Sequence, residues 1–70
     1  MPRKSGMIPK EPVKRIMLDA GASRVSEDAV ATLTDVLIDL GTEIGEQAVR
    51  IAKHSGRKTV QASDIKMAAK

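Results

Sequence analysis

One stretch decides the fold of this chain: SEDAVATLTDVLIDLGTEIGEQAVRIAK, from Ser26 to Lys53. It contains no proline, and its apolar residues recur at helical spacing. Ser26 is suited to cap the helix, and Glu27 and Asp28 lie where the helix dipole favours negative charge. The stretch therefore predicts a single helix of about 42 Å, which is too long for so small a chain to cover by itself. The apolar positions are Ala29, Leu33, Val36, Leu37, Leu40, Ile44, Ala48 and Ile51.

The acidic residues of this helix collect on one side of it. At about 100° per residue they occupy a sector of roughly 80–100°, and most of the remaining circumference is apolar or small. A helix that packs on one core needs an apolar stripe of only about 100° or slightly more. The long helix is therefore expected to have partners on two or three sides. The acidic residues of the sector are Asp28, Asp35, Asp39, Glu43 and Glu46.

Length and composition also predict that the chain associates with another chain. A chain of 70 residues without cysteine or aromatic residues has an aliphatic core and no disulfide or thiolate metal site to reinforce it. Oligomerisation is the remaining route to stability. No apolar run reaches the length of a membrane span, and the basic start lacks the apolar segment of a signal peptide. We therefore expect a cytoplasmic protein.

The net charge of +3 conceals a strong pattern. Residues 1–25 carry six bases against two acids, and residues 50–70 carry six bases against one acid. Residues 26–49 carry six acids and no base. Basic ends around an acidic middle predict a polyanionic partner that the flanks contact, although a solvated, charge-segregated surface is the alternative.

A short helix is predicted before the long one. We expect residues 1–8 to form a basic, flexible tail and the folded domain to cover residues 9–70. Pro9 and Pro12 mark the start of the short helix, and Gly21 follows its end. Leu18 falls off the apolar face of this helix, so it is either exposed or in contact with a neighbour. The apolar face consists of Val13, Ile16, Met17 and Ala20.

A second short helix is predicted at the end of the chain. Gly56 ends the long helix, and the last helix begins at Gln61 or Ala62, with Ile65, Ala68 and Ala69 as its inner face. Asp64 lies in its first turn, where a carboxylate can accept hydrogen bonds from free backbone N–H groups. The fold class is therefore all-α, with short, long and short helices.

The chemistry of the side chains indicates a binding protein and excludes most enzymes. His54 has no cysteine or second histidine with which to share a metal, and no nucleophile with a base is present. We expect no metal, cofactor or small-molecule substrate. The loop residues Arg57, Lys58 and Thr59, together with Arg24, instead suit phosphate binding, because they offer charged groups and a hydroxyl donor beside a helix start.

Two motifs closely resemble the archaeal histones. The first is Asp19-Ala20-Gly21-Ala22 with Arg24-Val25-Ser26, and the second is Ala52-Lys53-His54-Ser55-Gly56-Arg57-Lys58-Thr59-Val60 with Asp64-Ile65. The resemblance covers residues 8–70. It implies a histone fold, in which two chains clasp each other head to tail across their long helices in a handshake dimer.

The resemblance also implies roles for individual residues. Arg15, Arg24, Lys58 and Thr59 match positions that contact DNA, and Lys14 can compensate for Leu18, which replaces a DNA-contacting lysine of relatives. Arg57 belongs to the same DNA-binding loop, and its equivalent in the family braces the residue that matches Asp64. Contacts between dimers are implied for Ile51, His54 and Asp64.

Two further points concern substitutions relative to the archaeal histones and contacts between turns of a filament. Val30 and Ile38 replace charged residues of relatives, and the sequence does not assign their surroundings. Successive turns of a DNA-wrapped filament are expected to stack through opposite charges on the second and third helices and through a small residue in the first loop. The stacking residues are Gly21, Asp35, Asp39, Lys66 and Lys70.

The sequence thus predicts a histone that compacts DNA. We expect an obligate dimer, of two copies or with a paralogue, that forms higher oligomers on duplex DNA without strong sequence preference. These oligomers would be nucleosome-like or extended superhelical filaments (hypernucleosomes) within the chromatin of an archaeal nucleoid. The alternative is a histone-fold subunit that mediates protein interactions in a transcription complex.

Overall fold

A computed structural model describes residues 8–70 of the chain. It contains α1 (Lys10–Asp19), α2 (Glu27–His54) and α3 (Ala62–Ala68). The all-α, short–long–short order expected from the sequence is confirmed. The predicted basic tail lies outside the described residues, apart from Ile8.

The start of α2 is fixed by its cap. The Oγ atom of Ser26 accepts a hydrogen bond of 3.1 Å from the backbone N–H of Ala29. This bond satisfies one of the N–H groups that the first turn of a helix leaves without a partner. Two acids, Glu27 and Asp28, follow in the first turn, where they interact favourably with the helix dipole.

The chain divides into two compact units, the first ending at Asp39 and the second beginning at Leu40. In the first unit, Val13 of α1 is buried, and so are three residues of α2 spaced four apart: Val30, Thr34 and Ile38. The Thr34 hydroxyl donates a hydrogen bond of 2.7 Å to the carbonyl of Val30, so its burial costs little. Val30 and Ile38 are thus core residues.

The predicted inner face of α1 is only partly correct. Val13 is buried and Met17 half-buried, but Ile16 and Ala20 are exposed, and Leu18 is half-buried. Helical spacing identifies an apolar face without saying which surface covers it. Ile16 therefore remains on the outside of this chain.

The second unit has a core of small side chains. Ala48 and Ala52 of α2 are buried, together with the carboxylate of Asp64 in α3. The predicted inner face of α3 was largely wrong, because Ile65 and Ala69 are exposed and only Ala68 is half-buried. A charged residue takes the inner position instead.

Large aliphatic side chains remain exposed in both units. Val36 in the first unit is 51% exposed and Leu40 in the second is 49% exposed. Exposed apolar area of this kind is typical of surfaces at which proteins associate. Within the described chain, a side chain added at Gly41 or Gly45 of α2 would meet no atom within 4 Å. Packing inside the chain therefore does not explain these two glycines, each of which costs about 1 kcal/mol of helix propensity.

Candidate nucleic-acid interface

The first candidate loop follows α1 and carries Arg24. The N–H of Ala22 donates to the carbonyl of Met17 at 3.1 Å, and the N–H of Gly21 donates to that of Leu18 at 3.0 Å. These two bonds form a Schellman motif, and Gly21 has the positive φ of 119° that the motif favours. Gly21 therefore has a local backbone function, and the loop leaves the helix in a fixed direction. Arg24 is exposed on this loop.

The second candidate loop follows α2, which also ends in a Schellman motif. The N–H of Arg57 donates to the carbonyl of Ala52 and that of Gly56 to the carbonyl of Lys53, both at 2.9 Å. Gly56 has a φ of 76°, again in the left-handed region. The two residues next in line, Lys58 and Thr59, are exposed.

Arg57 holds the second loop against α3. Its Nη1 and Nη2 atoms donate to the two carboxylate oxygens of Asp64, each at 2.9 Å, and Nη1 also donates to the carbonyl of Thr59 at 3.1 Å. The carboxylate of Asp64 additionally accepts the backbone N–H of Gln61 at 2.8 Å, which caps α3 as expected from its position. The brace that the resemblance implies is therefore present.

This network determines the charge state of Asp64. The carboxylate is 2% exposed, and the hydrogen bonds from Arg57 and from the Gln61 backbone lower its pKa to about 2, although burial acts in the opposite direction. The same hydrogen bond raises the pKa of Arg57. Both groups are thus charged at neutral pH. The guanidinium of Arg57 is 32% exposed, and its hydrogen bonds are made mainly to groups of its own chain.

Helix α1 carries further cations. Lys14 and Arg15 are exposed, and so is Lys10, which was not among the residues predicted to contact DNA. Lys10 lies one turn before Lys14, and both line the same groove beside the start of α2. The helical interval of four residues was the available signal. Glu11 and Glu27 line this groove as well, so it is of mixed charge.

The predicted phosphate-contacting cations have no ion-pair partner among the residues that the structure describes. Among residues 8–70, Arg15, Arg24 and Lys58 form no ion pair. An exposed cation without an internal partner remains available to a phosphate group, whereas a paired one must first give up its bonds. Arg57 therefore differs from the other cations predicted to contact DNA, because its guanidinium is already paired with Asp64.

The residues predicted to join dimers lie in two different settings. Ile51 and His54 line an open groove of about 530 Å³ with Arg50, Ser55 and Met67, and Met67 is 64% exposed. Asp64 is buried and is not part of this lining. Its carboxylate already binds the Arg57 guanidinium and one backbone amide.

The predicted stacking residues are all on the surface. Gly21, Asp35 and Asp39 are exposed in the first unit, and Lys66 and Lys70 are exposed in the second. Lys66 is four residues before Lys70, as Asp35 is before Asp39. Contacts of this kind would join different molecules, so they stay a prediction.

Other kinds of site find little support in the described residues. No group of three or more histidine, aspartate or glutamate side chains there is placed to hold a metal ion. None of the helices described is both long enough and apolar enough to cross a membrane.

Comparison with known proteins gives matches over most of the chain. Residues 7–69 match the family described as "Histone-like transcription factor (CBF/NF-Y) and archaeal histone". The chain is 44% identical over 63 residues to a subunit of the archaeal histone HAN1 of Thermococcus zilligii, covering 90% of this chain and 94% of that protein. It is 43% identical over 61 residues to probable archaeal histone 3 of Methanocaldococcus jannaschii, covering 87% and 91%. The DNA-binding protein HmvA of the same organism is 43% identical over 63 residues, covering 86% of this chain and 62% of its own length.

Proposed function

Because this chain belongs to the family of archaeal histones and histone-like transcription factors, we propose that it binds and wraps duplex DNA as a dimer. Proteins of the archaeal histone group bind DNA and are not enzymes. The specific proposal is that dimers bind without strong sequence preference, follow one another along the duplex and compact the chromosome. The dimer contains a second histone-fold chain, either a copy or a paralogue.

The observation that carries this proposal is that the cations of the two loops are exposed and not paired within the described residues. Arg24 and Lys58 are exposed and, within residues 8–70, form no ion pair. Each lies two or three residues beyond a glycine that ends a helix, so the backbone that presents it has a defined course. Cations held in this way can neutralise phosphates and release counterions, which supplies affinity without reading the sequence.

The brace between Arg57 and Asp64 supports a positioning role for Arg57. Its bond to the Thr59 carbonyl ties the backbone next to Lys58 to α3. We therefore assign phosphate contact to Lys58 and Thr59, and assign to Arg57 the fixing of the loop. Arg15, with Lys14 beside it, is assigned to a DNA contact from α1.

The exposed apolar side chains support the dimer. Val36 and Leu40 lie on α2 and are about half exposed in the single chain. Burying apolar surface stabilises by about 25 cal/mol per Å², so covering such residues favours association. The open groove with Ile51 and His54 is the proposed contact from one dimer to the next.

A histone-fold subunit of a transcription assembly is the second candidate, since the family includes such factors. An assembly subunit that hardly touches DNA has no need of unpaired loop cations. Retardation of random-sequence duplexes at increasing salt distinguishes the two functions. Steep loss of binding with salt, similar for unrelated sequences, is expected of the DNA-wrapping protein. Absence of retardation at low salt would favour the assembly subunit.

A further inference from the structure

The open groove at the end of α2 has a methionine in its lining. Ile51 and Met67 are the apolar residues of this lining, and Arg50, His54 and Ser55 complete it. All five residues belong to the second unit. Met67 is 64% exposed, which is the largest fraction among the large apolar side chains of residues 8–70. In the single chain, its thioether is therefore open to small solutes.

Methionine is the side chain of this protein that oxidants attack most readily. The sequence contains no cysteine, tryptophan or tyrosine, so peroxide meets no thiol or electron-rich aromatic ring before it meets a thioether. Residues 8–70 include two methionines, of which Met17 in α1 is half-buried and Met67 in α3 is exposed. Oxidation requires access to the sulfur, so Met67 should react before Met17.

The reaction transfers one oxygen atom from hydrogen peroxide to the sulfur of Met67. A sulfur lone pair attacks one peroxide oxygen, the O–O bond breaks, and the departing hydroxide takes up the proton of the transferred oxygen. The products are methionine sulfoxide and water. The sulfur loses two electrons, and the peroxide gains them. The side chain changes from flexible and apolar to polar.

A sulfoxide at Met67 would change the groove and leave the packing of α3 intact. Helix α3 is held by the bonds of Asp64 to the Arg57 side chain and to the Gln61 backbone, and neither bond involves Met67. In the groove, however, a polar S–O group would replace an apolar thioether near Ile51. Any contact that closes over the groove would then gain less from apolar burial and would have to remove water from the new oxygen.

We propose that Met67 is an oxidation-sensitive modification site, and that oxygen transfer from peroxide to its sulfur weakens the contact through which one dimer joins the next. This inference deepens the proposed function and rests on it, because the groove of Ile51 and His54 is the proposed contact between dimers. The loop cations Arg24 and Lys58 are not altered by peroxide, so single dimers stay on DNA. Oxidation would therefore loosen the compacted DNA without releasing the protein.

The first experiment locates the added oxygen. The protein is exposed briefly to dilute hydrogen peroxide, the excess is destroyed with catalase, and the peptide that carries each methionine is measured by mass spectrometry. Without DNA, Met67 should gain oxygen at least about threefold faster than Met17, because its side chain is the more exposed. On long DNA, where a neighbouring dimer covers the groove, oxidation of Met67 should be slower than on a duplex short enough for a single dimer. Equal rates for the two methionines, or no protection on long DNA, would overturn the proposal.

The second experiment measures assembly. Wild type, Met67→Leu and the control Met17→Leu receive the same peroxide treatment, and cooperative binding to long DNA is compared with binding to the short duplex. Leucine keeps an apolar side chain of similar volume that peroxide does not oxidise. Cooperative binding should weaken about tenfold in wild type and in Met17→Leu and stay unchanged in Met67→Leu. Equal losses in wild type and Met67→Leu would show that the sensitive group is not Met67.

A mimic and a reversal complete the test. Met67→Gln places a polar side chain in the groove and should weaken cooperative binding without peroxide, while binding to the short duplex is retained. Oxidised wild type is then treated with methionine sulfoxide reductases for both sulfoxide epimers and a dithiol, which is oxidised to a disulfide as the oxygen leaves as water. Cooperative binding should return as Met67 is reduced. Reduction of Met67 without recovery of cooperative binding would contradict the proposal.

The short duplex separates this inference from the proposed DNA binding. If untreated wild type binds neither short nor long DNA, the proposed function fails, and the role of Met67 in assembly fails with it. If untreated wild type binds both and oxidation of Met67 leaves cooperative binding unchanged, the DNA-binding function stands and this inference is wrong.

Discussion

The two terminal nitrogens of Arg57 donate hydrogen bonds to the two carboxylate oxygens of Asp64, each at 2.9 Å, and so join the loop after α2 to α3. This paired geometry is the strong form of an arginine–carboxylate contact. It is also the contact on which the shape of the Lys58 loop depends, because the same guanidinium holds the Thr59 carbonyl.

The first prediction concerns acid. The folded chain lowers the pKa of Asp64 to about 2 from its ordinary value of 3.8, so the folded state binds this proton less readily than the unfolded state. The stabilisation is therefore fully present above the unfolded pKa and is lost as the pH falls through the folded pKa. Urea unfolding of wild type and of Asp64→Asn, at one protein concentration, should give midpoints that differ at neutral pH and converge near pH 2.

Asp19→Asn is the control for this measurement, because Asp19 is exposed on α1. Its midpoint should follow that of wild type throughout the titration. A gap between wild type and Asp64→Asn that stays constant down to the lowest pH would show that the ion pair does not carry the acid sensitivity.

The second prediction concerns the loop cations. Arg24→Ala and Lys58→Ala should each weaken binding to every duplex and reduce the slope of log affinity against log salt by about one unit for each phosphate that is no longer neutralised. The measurement uses a duplex short enough for a single dimer. Lys66→Ala removes one exposed cation from α3 and should leave the slope unchanged there. If both loop variants kept the wild-type slope of log affinity against log salt, the loops would not contact phosphate.

The third prediction concerns the dimer. In the proposed dimer a partner would cover the exposed half of Leu40, so Leu40→Ala should destabilise that dimer by about 2–5 kcal/mol per chain. The unfolding midpoint of wild type should also rise with protein concentration, since association and folding are linked. Ser63→Ala, at an exposed position of α3, should leave stability nearly unchanged. A midpoint independent of concentration would contradict an obligate dimer.

The fourth prediction concerns contacts between dimers. His54→Ala and Ile51→Ala alter the open groove at the end of α2, whose lining does not include Arg57 or Lys58. Single-dimer binding to a short duplex should be retained within about threefold, whereas cooperative binding to long DNA should weaken about tenfold, since burying an apolar side chain contributes about 1.5–3 kcal/mol. Unchanged cooperativity in both variants would place the contact elsewhere.

The fifth prediction concerns stacking of filament turns. Asp35→Lys and Lys66→Glu should each reduce compaction of long DNA, and the double variant should recover part of it, because opposite charges are restored. Each exposed pair contributes only about 0–1 kcal/mol, so the effect depends on repetition along the filament and should fade with salt. Substituting Gly21 is a poor test, because its positive φ makes any side chain strained. Additive losses in the double variant would count against stacking through these charges.

Much of the fold could be predicted because the local signals agree. The helical periodicity, the cap at Ser26 and the stop at Gly56 place α2 within one residue of its observed ends. Gly21 likewise ends α1 as expected. These are short-range effects, and a sequence displays them directly.

The sequence could not show which apolar face each helix buries. Ile16 and Ile65 have the spacing of inner residues, yet both are exposed in the single chain. Val30 and Ile38, which had no assigned surroundings, form the core of the first unit instead. Periodicity reports that a face is apolar, whereas the choice between the same chain and another chain depends on how helices pack.

The candidate site was predictable to a similar degree. The positions of Arg24 and Lys58 follow from the glycines before them, and the bond from Asp64 to the start of α3 follows from its place in the first turn. The burial of the Asp64 carboxylate does not follow from local sequence, because it depends on the guanidinium of Arg57. Lys10 was missed because its role depends on lining a groove with Lys14.

The half-exposed Leu40 has a consequence for the life of the chain in a cell. A newly made chain that has not yet met its partner displays aliphatic residues in the middle of its longest helix, and such chains are degraded when they open often. Pairing removes this vulnerability. Proteolysis would therefore act mainly on chains that have not yet paired in the proposed dimer, and pairing would set how long each chain persists.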